Sequence, residues 1–222
     1  MELVRLSPFR LPASYEPSIV LSSELFWALL VFVVVTLFTP GPNNTMLLAS
    51  GLNFGFRRGL PHLFGVALGF GAMVLAVGVG LGAVFQAYPA AYTVLKYAGA
   101  AYLLWLAWQI ATAGAVDEGG KGRGHPITFL EGAAFQWLNP KGWVMAVGAV
   151  TTYAAVAAFP LNVLLMACLF GSLGVLSSAT WLGFGSGLKR LLTSPRAVRA
   201  INVIMALLLV GSLWPILTDA WR

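Results

Sequence analysis

The sequence predicts an all-α integral membrane protein of six transmembrane helices, arranged as two inverted three-helix repeats in which helices 1 and 4 are broken. Three observations carry this. Of the 222 residues, 59% are hydrophobic and 9% charged, and the mean hydropathy is +0.85. A soluble domain carries roughly 25% charged residues, so water cannot be the solvent for most of this surface. Second, six apolar runs follow one another, at about 24–50, 61–86, 92–113, 128–158, 160–187 and 198–217. Each reaches the roughly 20 residues a bilayer span needs. Third, the first and fourth runs are interrupted at matching places.

Residues 1–23 contain Arg5, Arg10, Pro8, Pro12 and Pro17. No apolar core follows the arginines closely enough for a cleavable signal peptide, so this stretch is expected to be an exposed tail. The first repeat takes 24–113. Residues 114–127 join the halves, with Gly119, Gly120, Gly122 and Gly124 among Asp117, Glu118, Lys121 and Arg123. That composition describes a flexible, solvated linker. The second repeat takes 128–222.

Lys and Arg alternate between the loops. Arg57 and Arg58 mark loop one, Lys121 and Arg123 loop three, and Lys189, Arg190, Arg196 and Arg199 loop five. The intervening loops carry only Lys96, so the odd loops and the linker should be cytoplasmic and both termini outside. The net charge of +6 is spent in these short clusters, which argues against a nucleic-acid partner. Cys168 lies within an apolar run and is expected to be a buried small residue. His62 and His125 are far apart with no thiol or carboxylate at ligand spacing, so neither a metal site nor any other cofactor is expected.

The two faults are the most informative features. The first reads Phe38-Thr39-Pro40-Gly41-Pro42-Asn43-Asn44 and the second Trp137-Leu138-Asn139-Pro140-Lys141-Gly142. Proline removes a backbone donor and collides with the preceding turn, and unwound backbone at membrane depth is tolerated only beside a cavity or packed protein. Matching interruptions in two halves, with Pro40 and Pro140 as counterparts, point to a transporter binding site at the repeat interface. The candidate substrate-binding residues are Thr39, Pro40, Gly41, Pro42, Asn43, Asn44, Asn139, Pro140 and Lys141. A helix restarting after Pro42 presents free N–H groups, which suit a carboxylate. Asn43 and Asn44 either cap that restart or contact the ligand. Lys141 at mid-span reaches water poorly and costs about 2.5–3.5 kcal/mol on insertion scales. It is expected to face a cavity, paired with a substrate carboxylate or with the carbonyls ending the half-helix before Pro140. Gly65/Gly69 and Gly78/Gly82 have the spacing of close helix packing, Glu131 and Glu24 look interfacial, and Trp105, Trp108 and Trp214 look like interfacial belts.

Thr39-Pro40-Gly41-Pro42, the Gly55-Phe56-Arg57-Arg58-Gly59 turn, the stretch from Lys96-Tyr97-Ala98-Gly99 to Trp105, and Asn139-Pro140-Lys141 together resemble the lysine exporter/homoserine-threonine exporter (LysE/RhtB) family. The resemblance covers about Phe26 to Leu217. Pro42-Asn43-Asn44, Leu68-Gly69-Phe70 and the ending Ile201 to Val210 look most like its cysteine/O-acetylserine exporters. It implies efflux of amino acids or their metabolites across a bacterial inner membrane, driven by proton exchange, with a small-molecule substrate, the lipid bilayer and a possible homo-oligomer as partners. Many members carry an acid just after the Pro-Gly-Pro and another in the second helix, where this chain has Asn43 and Phe70. A neutral substrate such as cysteine, O-acetylserine, homoserine or threonine is therefore expected ahead of a basic one. The alternatives are a basic amino-acid exporter, a metal-ion exporter, a membrane-embedded enzyme or a scaffold. An enzyme needs a nucleophile and base in one pocket, and a metal path needs acids, thiolates or imidazoles along it. The apolar runs supply neither.

Overall fold

The computed structural model describes residues 21–81, 87–112, 125–192 and 194–214. All regular structure among them is helical. Eight α-helices follow in order: α1 (Ser23–Phe38), α2 (Pro42–Phe54), α3 (Phe56–Ala76, continued by a wider turn Val77–Leu81), α4 (Pro89–Thr112), α5 (Phe129–Leu138), α6 (Pro140–Thr152), α7 (Leu161–Leu191) and α8 (Pro195–Gly211). The first predicted run is thus α1 and α2, which meet at 50°, and the fourth is α5 and α6. The expected tail up to residue 20 and residues 114–124 of the expected linker lie outside the described residues.

Among the described residues, Phe56–Leu81 and Leu161–Leu191 are long and apolar enough to cross a bilayer, and the bent pair α1–α2 makes a third. The outward surface matches a lipid solvent: Trp27, Trp108, Leu191, Leu207 and Trp214 are among many exposed large apolar side chains. An apolar surface this extensive is excluded from water-soluble monomers.

Two expectations need correction. Cys168 is exposed, not buried. It falls in the outward stripe Leu161, Leu164, Cys168, Ser172, Leu176 of α7, a four-residue repeat that keeps one face of the helix toward the surroundings. Loop five is also much shorter than predicted. Lys189 and Arg190 sit in the last turn of α7, and Arg196 and Arg199 in the first turns of α8, because the apolar period continues beneath these charges.

The helices pack in two different ways. At some seams, including one near Lys189 and Arg190, backbones touch. A Cβ on Gly51 would strike the Leu182 carbonyl, and one on Gly185 the Leu48 carbonyl, so α2 and α7 are fitted to each other at those glycines. Gly65 and Gly69 press α3 against Phe129 and Ala133 of α5 in the same manner, as the spacing predicts. Gly78 abuts the Val163 side chain, and Gly82 lies outside the described residues. Gly55, at φ 83, makes the reversal from α2 to α3, a conformation other residues rarely adopt. Elsewhere large side chains fill the space: Leu29, Val33, Phe70, Met73, Trp143, Met166 and Phe170 form one buried cluster with Phe32 and Tyr153 packed on it.

Candidate functional site

The two interruptions meet. Gly41, Pro42, Asn43 and Asn44 from the first and Asn139, Lys141 and Gly142 from the second line one cavity, closed further by Phe70 of α3 and by Gly174, Ser177 and Ser178 of α7. Thr39 and Pro40 are exposed, and neither they nor Pro140 line it. The cavity measures about 30 Å³, room for a few waters and too little for an amino acid. Loading it requires its walls to move.

The register of the two breaks differs from the expected one. Pro42, not Pro40, is the counterpart of Pro140: each stands at the first position of a 13-residue helix, α2 or α6. Proline loses nothing there, because that N–H has no intrahelical partner. Gly41 and Asn139 therefore correspond as the residues before each restart, and Asn43 corresponds to Lys141.

Neither restart carries a side-chain cap, so the first N–H groups of α2 and α6 face the cavity end unsatisfied by side chains. Asn44 does not cap α2. Its Nδ2 donates backwards, to the Leu37 and Thr39 carbonyls at 2.9 Å each, closing the end of α1. Ser177 adds a bond to Leu37 O at 2.9 Å.

Lys141 shares that role. Its Nζ donates to the Thr39 carbonyl at 2.8 Å. Its partner is the end of α1, not the half-helix before Pro140. The carbonyl end of a helix carries partial negative charge, which offsets the burial of an ammonium.

Asn43 makes neither a cap nor a free contact. Its Nδ2 donates to Gln136 Oε1 at 2.9 Å, and Gln136 Nε2 donates back to Asn43 Oδ1 at 3.3 Å. Gln136 is fully buried and also donates to Gly132 O at 2.9 Å. Sequence reasoning missed it; the available signal was an amide one turn before the second break, in a run otherwise apolar. Asn139 is 2% exposed, and its Oδ1 has no hydrogen-bond partner. Buried acceptors in that state are uncommon and cost about 1–3 kcal/mol, so this oxygen is available to a ligand. Glu131 is accounted for locally: it forms a capping box with Thr128, which agrees with an interfacial position. Among the described residues, no group of three His, Cys, Asp or Glu could hold a metal ion.

A helical protein with a lipid-matched surface and two interrupted helices converging on one cavity belongs to the multi-pass membrane transporters. Residues 34–212 match the model of the LysE type translocator family, and the chain belongs to that family. It is similar to proteins named cysteine/O-acetylserine efflux protein from Escherichia coli K12 and from Shigella sonnei strain Ss046, each 35% identical over 188 residues, covering 83% of this chain and 92% of the relative. No solved structure matches it.

Proposed function

We propose that this protein is a proton-coupled secondary exporter of small neutral amino acids or their derivatives, of the cysteine, O-acetylserine, homoserine and threonine type. It works in a bacterial inner membrane as six spans in two inverted repeats, with the Arg57 end cytoplasmic and both termini outside. The observation that carries this reading is the shared cavity, to which both breaks contribute an uncapped helix start. The substrate carboxylate binds the N–H groups that begin α2 and α6, aided by Lys141 once its Nζ turns from the Thr39 carbonyl. The substrate ammonium group donates to Asn139 Oδ1. The inverted arrangement is supported by the equivalent placement of Pro42 and Pro140, and the orientation by the gathering of described basic residues at one end.

Among the described residues no carboxylate lines the cavity, which favours a neutral substrate over lysine or arginine. The test is uptake into everted vesicles with a panel of labelled amino acids. Cysteine, O-acetylserine, homoserine or threonine should accumulate in preference to lysine and arginine. Preferential lysine or arginine uptake overturns the substrate class, and no accumulation of any of them overturns the exporter reading.

A further inference from the structure

Three hydroxyl side chains line the cavity between the breaks: Thr36 on α1, and Ser177 and Ser178 on α7. Two of them are engaged with backbone. Thr36 Oγ1 donates to the Phe32 carbonyl at 2.7 Å, and Ser177 Oγ to the Leu37 carbonyl at 2.9 Å. Ser178 is 3% exposed and has no hydrogen-bond partner among the described residues. Its own helix sharpens the contrast. Ser172, Thr180 and Ser186 each donate to the carbonyl four residues back, at 2.7, 2.9 and 2.9 Å, the usual local partner of a helical hydroxyl. The Gly174 carbonyl stands in that relation to Ser178 and receives no bond from its side chain. Gly174 also lines the cavity, and a Cβ there would lie 3.4 Å from Ala67 Cα on α3. Packing of α7 on α3 therefore fixes the backbone one turn before Ser178, and a single torsion aims the hydroxyl.

We propose that Ser178 reads the side chain of the transported amino acid, by a hydrogen bond to a hydroxyl or ester oxygen carried on its β or γ carbon. This rests on the exporter reading above and narrows its substrate class. The groups that hold the carboxylate and the ammonium serve every amino acid alike: the helix starts of α2 and α6, and Asn139 Oδ1. A third polar contact is needed to separate one neutral amino acid from another, and Ser178 supplies it from α7, outside both breaks. A serine hydroxyl both donates and accepts, so it suits homoserine, threonine and O-acetylserine. A chain of the same length ending in methyl leaves it unpaired. A residue kept only for its small size would be served by alanine, which packs the same way without burying a polar atom. Loading the cavity brings the substrate's side chain between Ser178 and the apolar wall of Val66, Ala67 and Phe70.

The full-length protein in proteoliposomes tests this. Exchange is followed with labelled homoserine, threonine and reduced cysteine, and unlabelled homoserine and norvaline compete against whichever probe exchanges. The two competitors have the same number of side-chain atoms and differ by hydroxyl against methyl. Wild type should prefer homoserine on the order of tenfold, the net worth of one hydrogen bond. Ser178→Ala should bring that ratio close to one. Ser177→Ala, which releases the Leu37 carbonyl, should weaken both competitors alike and leave the ratio where it was. A wild-type ratio near one overturns the proposal, and so does an unmoved ratio in Ser178→Ala or a fall confined to Ser177→Ala. If Ser178→Ala does not fold, Ser178→Cys decides, since a thiol is a weak donor of similar shape: its ratio should drop, and an unchanged one overturns the proposal. Wild type that exchanges none of the three probes fails the exporter reading itself, before any variant is made.

Discussion

Lys141 Nζ crosses from one interrupted helix to the other and donates to the Thr39 carbonyl at 2.8 Å, so a half-buried charge beside the second break closes the end of the half-helix before the first. Two opposing terms follow from replacing it. Losing a hydrogen bond made by a charged group costs about 1.5–3 kcal/mol, and removing a mid-span lysine returns about 2.5–3.5 kcal/mol. Lys141→Met should therefore reach the membrane at normal levels and melt in detergent close to wild type, with efflux lost. A variant that melts early and still exports would make Lys141 a strut only.

The Asn43–Gln136 amide pair gives a second prediction. Gln136→Leu leaves the Asn43 amide unpaired in the cavity wall and should destabilise by about 1–3 kcal/mol. The double replacement should cost less than the sum of the singles, by about 1 kcal/mol, a coupling in the range found inside membranes. Reversible unfolding in mixed micelles measures the cycle, and strict additivity would mean that the pair contributes no joint stabilisation.

Asn43→Asp places an acid beside the cavity without removing the Gln136 donor. The expected outcome is a gain for lysine and arginine relative to homoserine, on the order of tenfold, about 1.4 kcal/mol, read by competition in everted vesicles. An unchanged ratio would separate this position from substrate choice.

The sequence was legible where backbone chemistry is local. Pro40-Gly41-Pro42 and Asn139-Pro140 announce breaks wherever they occur in a helix, and the grouping of arginines follows from the order of the apolar runs. It was less legible where partners come from distant elements. Nothing local to Asn43 distinguishes a cap from an amide bond to a distant helix, and Gln136 alone does not reveal its partner 93 residues away. Pro40 and Pro42 compete for the same role, and only the placement of the helix start at Gly41 decides between them. Cys168 was misread because an apolar neighbourhood in sequence does not say which side of a helix is turned outward. His62 was read as an isolated flanking residue because Ser50, its partner, has no pattern linking it to a histidine twelve positions on.

The glycines of the α2–α7 and α3–α5 seams set how closely those helices approach. Gly185→Val puts side-chain volume where the Leu48 and Leu52 backbones already stand, and should cost on the order of 1–3 kcal/mol or more. Gly187→Ala, where nothing lies nearby, should be neutral or stabilise by up to about 1 kcal/mol. Thermal melts in detergent compare the two.

Those seams also make the molecule mechanically lopsided. Where main chain rests on main chain, no rotamer intervenes, so the parts separate as whole units or not at all. Among Phe32, Phe70, Trp143 and Phe170, side chains can yield one at a time, and the resistance rises gradually. The seams act as a latch with a threshold and the aromatic cluster as a cushion.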